Sequence, residues 1–544
     1  MKKFINRLWQ CRWVRGCLWL IIVVFEALIL FRQYVDWSGK RRWLAVQEML
    51  AREGESLDPR KTAPNPVPDG SNFCTIPLLK DMALVTSKNK DDKSELSLKH
   101  QRLLDALPAD PIGFHMPKLI QGAALGKAMD LKVWADWFRP QGWLAVTPDS
   151  GNPARDVLAA LSRDDQLVSE LALGLSRLES QWTPAWKTRA LPKLLFAIEL
   201  SHYSALQRIS AVLGLRSVAA ARAGDAVKAH ESLIIDVRID QAFMKEPFII
   251  GTLVASGISV LISGAVWELC DAHSGTTEDF RALQEALSQL DLRKTYLCAE
   301  RGELAAAANA GEYLKRTRDT DFLLNKPSTK GDTPHGLYLI PDGCFDAKTA
   351  VLVRWHFDYY IKPLRDAGFK ELLAKQVELQ SLISEHKGRL DQHPDELLAL
   401  IAMPALGNVC YKVVYTQSLV NEAIAACALE RYRIEHGSYP GTLEAANRAG
   451  EKSIPLDIIS GKAMGYRKTP DGRYALWCVG SMGRTMEESG FSIRTIRPGR
   501  SFLIRSILAI GCGIFRESDL EIGIRSVAER VSTGILRMPI SRLA

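Results

Sequence analysis

Residues Gly16 to Phe31 read Gly-Cys-Leu-Trp-Leu-Ile-Ile-Val-Val-Phe-Glu-Ala-Leu-Ile-Leu-Phe, and Lys2, Lys3, Arg7, Arg12 and Arg15 stand before them. A basic flank ahead of an apolar run is the form of an N-terminal signal or signal-anchor, with the flank staying cytoplasmic. The run is about 16 residues long, short of the ~20 that span comfortably, and Glu26 lies inside it. Tilt, local thinning of the bilayer and interfacial anchoring by Trp13 and Trp37 close that gap. No Ala-x-Ala-like cleavage site follows and no lipobox precedes Cys17, so a retained anchor is expected over residues 1–37. The expected location is the cytoplasmic (inner) membrane, single-pass, with the lipid bilayer as first partner and the bulk of the chain periplasmic. Lys40-Arg41-Arg42 beyond the run weaken the charge asymmetry behind that orientation.

Residues 38–110 form the next expected unit. Trp43, Val46, Met49 and Leu50 recur at helical spacing and Gly54 supplies a stop, so a short amphipathic helix should leave the membrane. Pro64-Asn-Pro-Val-Pro68-Asp-Gly70 cannot be helical and reads as an extended strap ending near Asn72-Phe73 and Pro77. Lys88 to Lys99 reads as a polar loop, in which Ser87-Lys-Asn-Lys90 matches a Ser-x-x-Lys spacing by chance in a lysine-rich run.

A helical body is expected over 111–400. From Ala154 to Glu303 apolar residues recur at three and four with few breaks, which predicts stacked helices of a solenoid-like body, although no repeat of fixed period supports a tetratricopeptide array. Leu191 to Ala223 is one candidate helix; Gly224 suits a left-handed C-terminal position and Asp225 a cap for the helix after it. Pro247 to Trp267 is uncharged and long enough to be a second span, but Thr252, Ser256, Ser259, Ser263 and three glycines suit a buried central helix, the preferred reading. Thr276-Thr-Glu-Asp279 is a capping-box start.

Nothing in the chain spells a reaction. There is no phosphate-cradling Gly-rich loop ending in Lys-Ser/Thr, no Gly-x-Ser-x-Gly, no His-Glu-x-x-His and no dinucleotide fingerprint, so no cofactor and no catalytic residue is expected. A net charge of +8 over 544 residues, without an aromatic-plus-basic cassette, gives no reason to expect nucleic-acid binding. Ten scattered cysteines include no Cys-x-x-Cys, and no histidine pair stands at ligand spacing, so a zinc site is not expected; Cys410, Cys427 and Cys478 fall on apolar faces, where a thiol behaves as a small core residue. Trp355-His-Phe-Asp-Tyr-Tyr360 is aromatic-dense: packing is the plainer reading, and a pocket wall the alternative. Glu385, His386, Asp391, His393 and Asp395 collect at a helix end and read as a solvated terminus rather than a metal or general-base site.

The last expected unit, 401–490, begins after Met403-Pro404 with a helix of some thirty residues carrying Leu406, Cys410, Val413, Val420, Ile424 and Cys427 on one stripe. Lys462–Lys468 and Arg473–Val479 read as strands joined at Thr469-Pro-Asp-Gly472. Ala428-Leu-Glu-Arg-Tyr-Arg-Ile-Glu-His-Gly-Ser-Tyr-Pro440, Ile454-Pro-Leu-Asp457, Gly461, Tyr466, Asp471-Gly472, Tyr474-Ala-Leu476 and Val479-Gly480 resemble the globular part of a type II secretion major pseudopilin. The chain to about residue 490 is similar to a set of membrane-anchored bacterial proteins that carry this module at the C-terminus. The resemblance implies a helix laid on a small antiparallel sheet, and a calcium loop at 481–490 whose oxygens here would come from Glu487 and Glu488, with Arg484 intruding. It does not imply a fibre, because the anchor lies far upstream instead of running into the module.

Phe491 to Ala544 is arginine-rich and lacks Lys, Asn, Gln, His, Trp and Tyr, a composition that a shifted reading frame or an extension without a fold would produce. The expected whole is mainly α, with an N-terminal transmembrane helix, a helical body and a small C-terminal α+β pseudopilin-like module. Its expected role is a non-catalytic envelope scaffold with an unidentified envelope protein partner. The competing role is a periplasmic hydrolase with a site between the body and Trp355–Tyr360; a cleft there with a buried, mutually hydrogen-bonded carboxylate and histidine would favour the enzyme, and a closed, apolar-packed junction would count against it.

Overall fold

Helix carries most of the chain, as its apolar periodicity requires. The computed structural model describes residues 12–62, 65–85, 94–107, 128–140, 142–144, 151–182, 200–319, 339–389, 392–448, 452–478 and 494–495. The longer helices are α1 (Arg12–Arg52), α2 (Glu95–Leu104), α3 (Leu131–Phe138), α4 (Pro153–Leu161), α5 (Asp165–Ala172) and α6 (Ser201–Ala223). They continue as α7 (Ala226–Phe243), α8 (Ile249–Asp271), α9 (Thr277–Leu287), α10 (Leu292–Thr317), α11 (Asp342–His356), α12 (Phe369–His386) and α13 (Leu397–His436). The strands are β1 (Gly465–Lys468), β2 (Tyr474–Trp477) and the two-residue β3 (Arg494–Thr495).

α8, uncharged as far as Trp267, sits at the centre, packed by α6, α7, α10 and α13. Its polar residues have partners to face: Thr252, Ser256, Ser259 and Ser263 are buried, and the Ser259 hydroxyl donates to Asp240 of α7 at 2.5 Å. Local signals fix the joints around it. Gly224 takes φ +86 and ends α6, Asp225 accepts from the Lys228 N–H to start α7, and Thr276 and Asp279 form a reciprocal capping box at α9. The strap after α1 packs inward through Phe73, Ile76, Leu79 and Met82, pinned where Asn72 exchanges hydrogen bonds with the Gln181 backbone.

Three expectations need correction. The helix after residue 37 is not separate from the apolar run, since α1 continues unbroken through Ser38-Gly39 to Arg52 and the chain stops at Gly54, φ +77. The loop expected to Lys99 gives way at Ser94, whose hydroxyl caps α2. The long C-terminal helix starts at Leu397 and passes through Pro404 despite the backbone bond lost there; burial of Leu398, Ala399 and Met403 holds its first turns in place. Two expected boundaries, 37/38 and 400/401, therefore fall inside single helices.

β1 and β2 form the antiparallel hairpin, Gly465 opposite Trp477 and Lys468 opposite Tyr474, with β3 along the other edge of β2. The turn closes as expected, Gly472 at φ +80 and its N–H donating to the Thr469 carbonyl. The hairpin is continuous with the body: Tyr474 meets Tyr439 edge-to-face at 4.8 Å and lies 6.1 Å from Trp267 of α8.

Candidate functional site

α1 divides into two halves with opposite surroundings. From Trp19 to Phe31 its apolar side chains are exposed on every face: Leu20, Ile21, Val24, Phe25, Leu28 and Leu30 each show half or more of their surface. From Val35 onward the helix lies on α11. The crossing is made by two glycines, with Gly39 against the Gly343 carbonyl and Gly343 against the backbone of Val35 and Asp36; the Gly343 N–H donates to Asp36 Oδ1 at 2.8 Å. The far end is clamped by charge. Arg301 makes a two-pronged contact with buried Glu55 (2.7 and 2.9 Å), and Arg365 reaches Glu53 at 2.8 Å, holding that carboxyl below its ordinary range. Arg42 pairs with Asp395 at 2.8 Å.

Among the described residues, length and hydropathy single out two helices as apolar enough to cross a membrane, α8 and the Pro394–His436 stretch. Burial separates these from α1, because 67% of the apolar window in α8 and 47% of that in Pro394–His436 is covered by protein.

The Trp355–Tyr360 segment closes α11 and enters a π turn, Phe357–Ile361, just before Pro363. It is tied down by Tyr360, whose hydroxyl donates to the Met403 carbonyl at 2.9 Å, and by Gln376, which donates to the Tyr359 carbonyl. Beneath it lies the acid–histidine pair on which the hydrolase reading depends. His356 Nε2 sits 2.5 Å from Glu300 Oε2, with the two side chains 1% and 0% exposed. Burial, with Glu300 adding its charge, pushes the phenols of Tyr296 and Tyr360 and the Cys410 thiol up, and burial raises Glu303, one turn on, to about 7. Exclusion of water is the largest cause of each shift. The pair is a packed ionisable contact between α10 and α11, and neither cavity described next reaches it.

The larger cavity, about 1110 Å³, lies between the end of α9, the starts of α10 and α12, the middle of α13 and the loop 452–461. Asp457 builds that loop: its Oδ1 accepts from the N–H groups of Ile459 (2.9 Å) and Ser460 (2.6 Å), and Asn421 of α13 donates to the Leu456 carbonyl. Gln417 satisfies the start of α10 by accepting from the Leu292 N–H at 2.7 Å. Arg281, Arg293, Lys370 and Lys452 share the rim with Glu285 and Asp291, a mixed-sign surface suited to a polypeptide more than to a polyanion. The second cavity, about 390 Å³, lies where His273 and Arg433 approach Glu430 (3.3 and 2.8 Å) and Tyr439 donates to the same carboxylate.

The signature residues of the C-terminal module are therefore joints. Tyr439 joins α13, Tyr466 donates to the Pro440 carbonyl at 2.8 Å, and Asp457 turns the loop. All eight described cysteines are free, and Cys410, Cys427 and Cys478 are buried. Ser87, Lys90, Asp391, Glu487 and Glu488 lie outside the described residues, as does nearly all of the tail beyond residue 490. His386 and His393 do come together, joined by Glu396, which sequence reasoning passed over; the His-x-x-Glu spacing from 393 to 396 was the available signal. Glu300 carried no local signal at all, since it meets His356 only through the crossing of α10 and α11. No protein-family model, curated protein or solved structure matches this chain.

Proposed function

We propose that this protein is a membrane-held, non-catalytic scaffold of the bacterial cell envelope, carrying a helical body and a pseudopilin-like C-terminal module outside the cytoplasmic membrane. The observation that carries this reading is the division of α1. From Trp13 to Phe31 the exposed apolar length is roughly 27 Å at 1.5 Å per residue, close to the ~30 Å of a hydrocarbon core. A water-facing helix bare on all sides is unfavourable, and lipid is the medium that removes the penalty. The same helix is wedged into the body without a linker, so the body is held at a fixed attitude to the bilayer. Its partner in this reading is an envelope protein, and the mixed-sign groove beside the Asp457 loop is the most developed concave surface for one. The module is supported by the helix, hairpin and joints at Tyr439, Pro440, Asp457 and Tyr466. The Glu300–His356 pair is buried and bonded as an enzyme would need, but neither described cavity opens onto it, and that closed junction is the reason for preferring a scaffold to a hydrolase.

Two measurements test this. The full chain should resist alkaline extraction from membranes, and L20E/V24E/L28E should release it; a variant that stays membrane-bound would remove α1 as the anchor. Topology reporters fused after residues 110 and 400 should both report the extracytoplasmic side. Opposite sides would mean that α8 spans and that the scaffold is wrongly oriented.

A further inference from the structure

Where α12 ends and α13 begins, three ligand-type side chains converge. His386 Nδ1 lies 2.5 Å from Glu396 Oε2 and His393 Nδ1 lies 3.7 Å from Glu396 Oε1. The two imidazoles are stacked face to face, 4.3 Å apart and 3° from parallel, and the three ligand atoms all fall within 4.8 Å of one another. We propose that His386, His393 and Glu396 bind a borderline divalent transition ion of the zinc class.

The donor set selects the class. Two imidazole nitrogens and one carboxylate oxygen suit zinc, cobalt, nickel or copper, whereas calcium and magnesium take shells of oxygen. Backbone geometry prepares the site. His386 is the last residue of α12, the His393 N–H donates to the Arg389 carbonyl at 3.2 Å, and Pro394 starts a 3-10 turn that ends at Glu396. In such a turn residues i and i+3 eclipse, which puts His393 and Glu396 on one side. Bonds of ~2.0–2.2 Å in a tetrahedral site hold ligand atoms roughly 3.4 Å apart, so the chelate is completed by side-chain rotations of roughly 1 Å that open the 2.5 Å His386–Glu396 contact and close the wider separations, which are at most 4.8 Å.

The surrounding charges leave the site a net anionic ligand. Arg389 is engaged by Glu385 at 3.7 Å and Arg42 by Asp395 at 2.8 Å, so the Glu396 carboxylate shared between two imidazoles is the remaining charge. With side chains 14% to 37% exposed, the ligands are reachable from solvent. Three protein ligands leave a position for water or for a donor from a partner. Asp395, between His393 and Glu396, holds Arg42 of α1, so the ion would stiffen the joint where the exposed helix meets the body. The proposal does not depend on the scaffold reading, because ion binding is measured on its own.

The experiment uses the full chain, purified in detergent without a histidine tag, and titrates Zn²⁺ against a chromogenic chelator. One site per chain of micromolar or tighter affinity is expected, unaffected by excess Mg²⁺. H393A and E396Q should each weaken it roughly tenfold or more, and Co²⁺ should give the visible absorption of a low-coordinate ion in the wild type and lose it in H393A. Wild-type affinity in H393A, or no Zn²⁺ bound by the wild type at micromolar concentrations, overturns the proposal. H393A changes a residue between secondary-structure elements, and its thermal unfolding in chelator should match the wild type. If it does not, E396Q decides, since the amide keeps the shape and one acceptor.

Discussion

Replacing Gly39 by alanine tests whether α1 is a rigid extension of the body. A Cβ at residue 39 would stand 1.9 Å from the Gly343 carbonyl oxygen. A carbon and a carbonyl oxygen in contact sit ~3.3 Å apart, so α1 and α11 must separate by roughly 1.4 Å at their crossing. The obstacle is backbone, and no rotamer relieves it. Overpacking of this kind costs about 1–3 kcal/mol, with the rigid obstacle placing it at the upper end. The shift also stretches the 2.8 Å bond from the Gly343 N–H to Asp36, which contributes about 1 kcal/mol. Against these, alanine is better than glycine inside a helix by ~1 kcal/mol. The balance is about 2–3 kcal/mol against docking, or a rise in the undocked population of roughly 30-fold or more. Gly214 in α6 is the matched control, because nothing lies within 4 Å of the Cβ it would gain. G214A should be neutral or more stable by up to ~1 kcal/mol. Hydrogen exchange of the α11 amides in the full chain reads the difference. Equal exchange in G39A and wild type, or equal changes in G39A and G214A, would refute the close crossing.

Three further outcomes follow from the interior. Burial pushes Glu246 up to about 8 and Glu303 and Asp164 up to about 7, from ordinary values of 4.5, 4.5 and 3.8. Such carboxyls keep their protons longer in the folded state, so their contribution is complete below about pH 4 and is lost as pH rises through 7 and 8. Buried His202, held down to about 3, acts in the opposite sense only below its ordinary 6.5, which leaves pH 6.5–9 as the clean window. Denaturant unfolding should weaken across that window and E246Q should flatten its upper part, the amide still accepting from Tyr203; a flat wild-type profile would contradict this. Removing one partner of the Glu300–His356 pair, as in H356A, should cost about 3–5 kcal/mol by denaturant titration, and E300M/H356L should cost less than H356A alone. T276A should destabilise by about 1 kcal/mol and speed exchange of the first-turn amides of α9, while no change there would mean that the capping box is idle.

What could be read in the sequence was what neighbours in sequence decide. Gly224-Asp225, the capping box at Thr276 and the Thr469 to Gly472 turn are each fixed within a few residues, and each forms as expected. What escaped is set by contacts across hundreds of residues. The helix after residue 37 is expected to be separate from the apolar run, yet the two are one helix, and Gly39 between them is where Gly343 approaches. Pro404 looked like the start of a helix because proline breaks one, and burial of the turns before it prevails. His386 and His393 were visible as titratable residues at a helix end, but only the fold of the turn shows that both imidazoles face Glu396.

α13 decides how the C-terminal module should be understood. Its apolar residues go all the way round because the helix is covered by α8, α9, α11 and α12 on different sides, with Cys410, Val413, Ala423 and Leu429 inside. A helix that builds a fibre must leave its length free for neighbouring copies, and here the body of the same chain occupies that surface. Its far end emerges where Tyr439 and Tyr474 fasten the hairpin to it and to Trp267 of α8. The hairpin is thus carried by the core, and the core is carried by α1 through the Gly39–Gly343 crossing and the Glu55–Arg301 clamp. Force or tilt applied to the exposed half of α1 has a continuous rigid path to the Asp457 loop and its groove. That continuity favours a fixed platform over either a filament subunit or a domain hung on a flexible stalk.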